Sequence, residues 1–253
     1  MIKLSGLSKQ YGKTFVVKNA DALFPCSEVT SIIGPNGAGK STLLSMASRL
    51  TKSDAGEVLI EDKLLAQWDS KALAKKLAVL RQSNNINMRF TVRELVSFGR
   101  FPHSQGKLTA EDKCIITDSI ARLGITDIEG KYLDELSGGQ RQMAFIAMVV
   151  AQDTDYVFLD EPLNNLDIKH SVEIMRTLRN LAHNLNKAVV IVIHDINFAS
   201  VYSDNIVAMK NGEVFASGKV SEVVERKTME SIYEIPFDII NVNGQKVCLY
   251  FNA

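Results

Sequence analysis

A glycine-rich segment carrying a lysine and two hydroxyl groups is the strongest chemical signal in the sequence. It consists of Gly34, Pro35, Asn36, Gly37, Ala38, Gly39, Lys40, Ser41 and Thr42. The spacing Gly-x4-Gly-Lys-Ser is that of the phosphate-binding P-loop, in which successive backbone N–H groups face the phosphates. In such a loop the lysine reaches the β- and γ-phosphates, and the serine hydroxyl holds Mg²⁺. Because an apolar run precedes the loop and a helical pattern follows it, we predict that this segment binds ATP and Mg²⁺.

Two adjacent acids further along the chain could complete this site. Asp160 and Glu161 directly follow the apolar run at residues 156–159. Ligands of open α/β sheets bind where parallel strands end, so a strand here would deliver both carboxylates to the nucleotide. We predict that Asp160 contributes to the Mg²⁺ site and that Glu161 orients or deprotonates the attacking water. Two acids at a strand end are common in isolation, and the pair gains its meaning from the P-loop.

A second phosphate-binding feature stands between these two. Leu136 is followed by Ser137, Gly138, Gly139 and Gln140, directly before a predicted helix. The serine hydroxyl, the exposed N–H groups of the glycines and the positive end of a helix all favour an anion. One chain cannot easily fold two phosphate cradles onto one γ-phosphate, whereas a second copy can supply the other cradle. The motif therefore predicts a symmetric dimer with two equivalent ATP sites.

The segment from Leu136 to Gln140 resembles the signature of the ABC ATPases, and the resemblance extends over essentially the whole chain. By that resemblance, Tyr11 stacks on adenine, and Gln82 touches Mg²⁺ and the attacking water. It also implies that His194 contacts the γ-phosphate. An ABC ATPase catalyses the hydrolysis of ATP to ADP and phosphate.

The family's interface loop is present in a modified form. Asp167 matches the aspartate of the commoner Ser-x-Leu-Asp pattern, and the resemblance places it at the dimer interface. Asn164 stands where serine is usual, and Leu163 stands where threonine is usual. These departures leave the detailed interface contacts open but do not affect the hydrolytic assignment, because Asp167 is retained.

Two segments resemble a particular branch of the family. Residues 91–103 are similar to the region that follows the glutamine loop in importers of ferric siderophores, haem and cobalamin. Residues 160–172 are similar to the ferric siderophore branch, especially petrobactin-type and other catecholate systems. The implied partners are an integral membrane permease that docks near residues 82–101 and, indirectly, a siderophore-binding protein. A haem or cobalamin importer and a non-transport ABC ATPase stay open as alternatives.

Composition narrows the cellular context. The 29 basic residues balance the 29 acidic residues, so we expect no nucleic-acid partner. The longest apolar runs fall far short of the roughly 20 residues that a membrane helix needs, and the first residues lack the apolar core of a secretory signal. We therefore expect a peripheral protein on the cytoplasmic face of the cell membrane. Cys26, Cys114 and Cys248 are scattered, so we predict small buried residues rather than disulfides or a zinc site.

The elements that must position these residues alternate between strands and helices. Strands are predicted at residues 2–7, 14–22, 28–33, 57–60, 156–159 and 189–193, and helices at 41–50, 70–74, 92–98, 110–123, 139–151 and 168–185. This alternation predicts a doubly wound α/β core. Together with the resemblance, it gives a P-loop NTPase (RecA-like) core with an antiparallel β lobe and an inserted helical lobe. We expect one domain over residues 1–253, with the helical lobe at about 88–152 and a small C-terminal segment at about 219–253.

Overall fold

The computed structural model describes residues 1–82, 89–164 and 166–251. The strands are β1 (Ile2–Tyr11), β2 (Thr14–Phe24), β3 (Val29–Ile33), β4 (Ala55–Ile60), β5 (Lys63–Leu64), β6 (Leu77–Leu80), β7 (Tyr156–Asp160), β8 (Ala188–Val192), β9 (Asn205–Lys210), β10 (Glu213–Lys219), β11 (Asp238–Val242) and β12 (Gln245–Leu249). The helices are α1 (Lys40–Ala47), α2 (Ser70–Lys76), α3 (Val92–Phe98), α4 (Phe101–Ser104), α5 (Ala110–Arg122), α6 (Gly138–Ala151), α7 (Ile168–Leu185), α8 (Ile196–Tyr202), α9 (Val220–Val223) and α10 (Arg226–Tyr233).

The central sheet has the strand order β10-β9-β3-β8-β7-β6. The pairs from β9 to β6 are parallel, and only β10 runs antiparallel to its neighbour. Every residue of β3, β7 and β8 is buried, because both faces of the sheet are covered. Along β7, Val157 and Leu159 join one hydrophobic cluster, whereas Tyr156 and Phe158 join the other. The strands predicted at residues 156–159 and 189–193 are present as β7 and β8.

A second sheet, with the order β2-β1-β4-β5, forms the predicted antiparallel layer. Its inward-facing residues share a hydrophobic cluster with helix α1 and one face of the central sheet. The rings of Phe24 and Phe158 meet edge to face, 5.7 Å apart, at this junction. The cluster therefore holds the antiparallel sheet against the helix that follows the P-loop.

Between β6 and β7, the regular elements of residues 89–155 are helical. Thr91 and Thr109 are the N-cap residues that directly precede helices α3 and α5. Each threonine forms a reciprocal capping box with an acidic residue three positions later. Both helices contribute buried residues to the cluster on the helical side of the central sheet. The treatment of this segment as a lobe with limits 88–152 is still a prediction, and residue 88 lies outside the described residues. The single-domain limits and the C-terminal segment 219–253 are also still predictions, and residues 252–253 lie outside them too.

One buried ion pair fixes helix α5 inside this helical segment. The Nε atom of Arg100 lies 2.8 Å from Asp112 Oδ1, and both side chains are almost fully buried. Arg100 also donates to the carbonyl of Ala151 at 3.0 Å. The backbone N–H of Thr109 and the guanidinium of Arg100 lower the pKa of Asp112 from 3.8 to about 2. The pair therefore joins the start of α5 to the segment after α3 and to the end of α6.

Replacing Asp112 with alanine is expected to lower the free energy of unfolding by about 3 kcal/mol at pH 7, since a buried guanidinium loses its counter-charge. Chemical denaturation measures this loss. Because folding lowers the pKa of Asp112, its ionic contribution is complete above about pH 4. It is lost as the pH falls from 3.8 towards 2. An equally large difference between wild type and variant at pH 2 would contradict the electrostatic explanation.

Two hairpin turns are formed by Asn-Gly pairs. Asn211 and Gly212 connect β9 to β10, and Asn243 and Gly244 connect β11 to β12. All four residues have positive φ, from 51° to 82°. A two-residue turn with positive φ at both positions matches the twist of a hairpin and favours Asn-Gly.

Several features differ from the predictions. Helix α6 begins at Gly138, one residue before the predicted start, so Gly138, Gly139 and Gln140 of the signature lie in its first turn. Strand β6 and helix α8 were not predicted, because their short apolar runs lack a distinct period. The prediction of buried cysteines was wrong for two of the three. Cys26 in the turn after β2 and Cys114 on the outer face of α5 are exposed, and only Cys248 is buried. In the part of the chain that the structure describes, no helix has both the length and the hydrophobicity needed to cross a bilayer.

Candidate nucleotide site

The predicted site residues follow four neighbouring parallel strands. The P-loop follows β3, and Gln82 lies two residues after β6. Asp160 ends β7, and His194 lies two residues after β8. Since the carboxyl ends of parallel strands meet at one edge of a sheet, residues far apart in sequence converge there.

Two glycines of the P-loop are required by close backbone contacts. Gly34 has φ of 143°, and a Cβ atom there would lie 2.1 Å from the carbonyl oxygen of Met209. Gly39 has φ of 96°, and its Cβ would lie 2.5 Å from the carbonyl oxygen of Val16. Both contacts are with backbone atoms, which cannot move away without distorting the neighbouring strand. The loop therefore depends on glycine at these two positions to wrap against β2 and β9.

Lys40 is the first residue of α1 and is almost fully buried. Its ammonium donates to the carbonyl oxygens of Gly34 and Pro35, at 2.8 and 2.9 Å. Burial lowers the pKa of Lys40, while the charges of Glu161 and Asp160 oppose that shift. The ammonium is therefore held within the P-loop by two neutral carbonyl oxygens. These are weaker acceptors than the charged oxygens of an incoming anion.

Ser41 and Asp160 meet as the sequence predicts. The Ser41 hydroxyl donates to Asp160 Oδ1 at 2.8 Å. Burial raises the pKa of Asp160, and the bond from Ser41 and the charge of Lys40 partly offset this rise. Oxygen atoms are the ligands that Mg²⁺ prefers, and Gln82, whose amide nitrogen donates to Glu161, has a side-chain carbonyl oxygen that suits this role. The donor set fits Mg²⁺.

Glu161 is surrounded by hydrogen-bond donors. His194 Nε2 lies 2.7 Å from Glu161 Oε1, and Gln82 Nε2 lies 2.5 Å from Glu161 Oε2. The side-chain amide of Asn164 also donates to Oε2. Burial alone would raise the pKa of Glu161, but the contacts with His194, Asn164 and Gln82 together lower it. The carboxylate is therefore ionised at neutral pH, as a proton acceptor must be.

One open cavity of about 240 Å³ adjoins these groups. Five residues predicted for nucleotide or metal binding line it, namely Tyr11, Ser41, Thr42, Gln82 and Asp160. Tyr11 is the last residue of β1 and is 55% exposed, so one face of its ring is available for stacking. Arg81, which was not predicted as a site residue, lines the same cavity.

Comparisons with known proteins agree with this geometry. The model of the family described as "ABC transporter" matches residues 17–164. The chain belongs to the ABC transporter family. This ABC protein is 54% identical over 252 residues to the petrobactin import ATP-binding protein YclP of Bacillus subtilis (strain 168), covering 100% of both chains. It is 48% identical to the petrobactin import ATP-binding protein FatE of Bacillus anthracis, covering 99% of this chain and 100% of the relative.

Among solved structures, the ABC protein resembles the ATP-binding cassette MJ0796, solved as a dimer in a post-hydrolysis state with ADP and Pi. The TM-score is 0.78 at 30% sequence identity, and the match covers 87% of this chain and 99% of that one. Together with the family match, this likeness identifies the chain as an ABC ATPase.

The signature residues of this ABC ATPase lie apart from the candidate nucleotide cavity, which is the cavity beside Tyr11, Ser41 and Gln82. Ser137 caps α6, and its hydroxyl accepts from the Gln140 N–H at 3.2 Å. Ser137 and Gly138 are exposed, and a Cβ on Gly138 would meet only open space. The residues described as lining the nucleotide cavity include none from 137–140, and Gln140 faces a different cavity. Within one chain, the two predicted phosphate cradles are therefore not brought together.

The loop after Glu161 contains both a predicted and a missed residue. Asp167 caps α7 by accepting from the His170 N–H at 2.8 Å, which lowers its pKa. Asn165 lies outside the described residues. Asn164 was noted only as a departure from serine, yet it contacts Glu161 directly. The amide at this position was the available signal, because it carries a donor that can reach beyond a serine hydroxyl.

Proposed function

We propose that this ABC ATPase dimerises around two MgATP molecules and powers uptake of a ferric siderophore through a separate membrane permease. The main support for a ferric siderophore as the transported substrate is the full-length 54% identity to a protein named for petrobactin import. The geometry of Lys40, Asp160 and Glu161 supports the hydrolytic part. The resemblance of residues 91–103 and 160–172 to siderophore importers points to the same branch.

The nucleotide is bound by exchange of existing contacts. Phosphate oxygens replace the two carbonyl acceptors of Lys40, since a charged oxygen attracts the buried ammonium more strongly than a neutral carbonyl. Ser41, Asp160 and Gln82 would hold Mg²⁺, and Tyr11 would stack on adenine. Bound Mg²⁺ supplies positive charge that offsets the negative charge of the phosphate oxygens.

Hydrolysis is assigned to the residues beyond β7 and β8. Glu161 holds the attacking water and accepts its proton, which its ionised state allows. His194, bonded to Glu161, is assigned the contact with the γ-phosphate by the family resemblance. Gln82 joins the water to the segment that leads into α3, so the state of the nucleotide is communicated towards the helices.

A second copy of the chain completes each site. The Ser137 hydroxyl and the N–H groups of Gly138 and Gly139 lie at the start of α6, where Ser137 and Gly138 are exposed. Both favour an anion, and the P-loop of a partner chain provides one when ATP is bound. Asp167 lies in the loop that crosses this interface. The dimeric state of the related MJ0796 cassette supports the arrangement.

The permease is proposed to dock on the surface near residues 82–101, of which residues 83–88 lie outside the described part. Phe98 and Phe101 are 48% and 59% exposed, although both are large apolar side chains. Phe98 packs edge to face against Phe90, with ring centroids 5.0 Å apart, so these two rings form one aromatic cluster. Exposed aromatic groups are typical of protein interfaces. The assignment places the subunit on the cytoplasmic face of the membrane, with a siderophore-binding protein as an indirect partner.

The test is reconstitution. The subunit is co-purified with its permease, placed in lipid vesicles with a binding protein, and assayed for ATPase activity with ferric petrobactin, another ferric catecholate, haem and cobalamin. Stimulation by a ferric catecholate alone is expected. Stimulation by haem or cobalamin alone would redirect the cargo assignment, and ATPase activity without any associated permease component would favour a non-transport ABC ATPase.

A further inference from the structure

The carboxylate of Glu161 is held by three side chains from three different segments. Gln82 and Asn164 both donate to Oε2, and His194 donates to Oε1. A carboxylate offers about four acceptor positions, two on each oxygen. Among the described residues, side chains occupy three of these positions, and the remaining one is on Oε1. This arrangement leaves a single well-defined place for one further donor such as water.

Asn164 is the one of these three donors that lies in the loop directly after β7. Its backbone N–H also donates to the Glu161 carbonyl at 3.3 Å, which closes a tight turn between the two residues. Glu161 has φ of 52° and donates its N–H to Val192 at 3.1 Å, so its backbone is fixed. The direction of the side chain is then decided by the donors around the carboxylate.

On the side of Asn164 there is space into which the carboxylate could turn. A cavity of about 240 Å³ borders Glu161, Asn164 and His194, and apolar groups of Leu163, Leu166 and Phe198 form much of its wall. These apolar groups cannot replace a lost donor. Without the Asn164 amide, Gln82 would be the one described residue that donates to Oε2, and the side chain would gain access to other rotamers.

We propose that Asn164 is a positioning residue that fixes the Glu161 carboxylate so that its one free acceptor position faces the attacking water. The proposal rests on the role of Glu161 as proton acceptor under the proposed function. A serine hydroxyl, usual at this position, ends one bond nearer to the backbone than the asparagine amide. The departure from serine therefore supplies this chain with a longer donor, directed at the catalytic carboxylate.

The test compares steady-state ATP hydrolysis of the permease-bound subunit with Asn164→Ala and Asn164→Asp. Alanine removes the donor and is expected to lower kcat about tenfold with KM for ATP within twofold of wild type, because misplacing a reacting group slows chemistry without weakening binding. Aspartate keeps the shape but replaces the donor with a like charge, so a larger loss of kcat is expected. The matched control is Asn180, an exposed asparagine on α7, and its alanine and aspartate variants are expected to leave kcat unchanged.

Wild type and Glu161→Gln are measured alongside. If wild type fails to hydrolyse ATP, or Glu161→Gln hydrolyses it normally, the proposed function itself fails. If both behave as expected but Asn164→Ala or Asn164→Asp keeps at least half of wild-type kcat, the positioning role is overturned. A loss of kcat that comes with an equal loss of ATP affinity or a lowered Tm also overturns it, because the residue would then act only on the fold of the loop.

Discussion

Replacing Glu161 with glutamine is expected to slow ATP hydrolysis at least about a hundredfold while ATP binding is retained. Glutamine has nearly the same shape as glutamate but cannot accept a proton from water, and loss of a general base typically costs this much. The P-loop contacts of Lys40 and the Ser41–Asp160 pair do not involve the changed group directly. Turnover is measured by phosphate release, and binding is measured by titration calorimetry with MgATP.

The matched control is Glu57→Gln, a change of the same type on the exposed part of β4. It is expected to have wild-type turnover. A Glu161→Gln chain that hydrolyses ATP at the wild-type rate would mean that another group accepts the proton, and the roles of His194 and Gln82 around Glu161 would need reassignment.

Replacing Lys40 with alanine is expected to weaken ATP binding by roughly tenfold to a hundredfold and to abolish measurable turnover. A hydrogen bond to a charged group contributes about 1.5–3 kcal/mol, which corresponds to that range in affinity. The ammonium is the only described cation bonded within the P-loop, so no other residue replaces it in this position. Calorimetric titration with MgATP measures the change in Kd, and phosphate release measures turnover.

Lys71→Ala, on the exposed surface of α2, controls for the loss of one positive charge. Its Kd for MgATP is expected to equal that of wild type. Unchanged affinity and turnover in Lys40→Ala would remove the basis for placing the triphosphate in this loop.

The sequence predicted the central part of the fold well, because its signals are local and strong. The apolar runs of β7 and β8 are too short for helices and too continuous for a half-exposed strand, so burial on both faces was the remaining possibility. The two Asn-Gly turns require positive φ, which few residue pairs tolerate. The P-loop was recognised from its glycine spacing. Gly34 and Gly39 are required there because a Cβ atom at either position would clash with the backbone of another strand.

The features that were not predicted depend on contacts between distant segments. Strand β6 is a run of only four residues beside the lysines of α2, and it becomes a strand because β7 pairs with it. The exposure of Cys114 depends on which face of α5 packs inward. The hydrogen bond from Asn164 to Glu161 depends on the shape of the turn between them, which the sequence does not specify. The departure from serine therefore identified the position but not its bonding partner.

The proposed dimer around two MgATP molecules depends on one observation, which is that the two phosphate cradles of one chain lie apart. The most direct measurement is sedimentation of Glu161→Gln with MgATP, compared with the double variant Ser137→Arg, Glu161→Gln. Arginine at the exposed start of α6 would obstruct the partner's nucleotide without touching the chain's own P-loop. For Glu161→Gln we expect a species of about twice 28.0 kDa with one ATP per chain. For the double variant we expect a species of 28.0 kDa that still binds ATP. A 28.0 kDa species for both proteins at saturating MgATP, or a dimer that forms equally well in both, would contradict it.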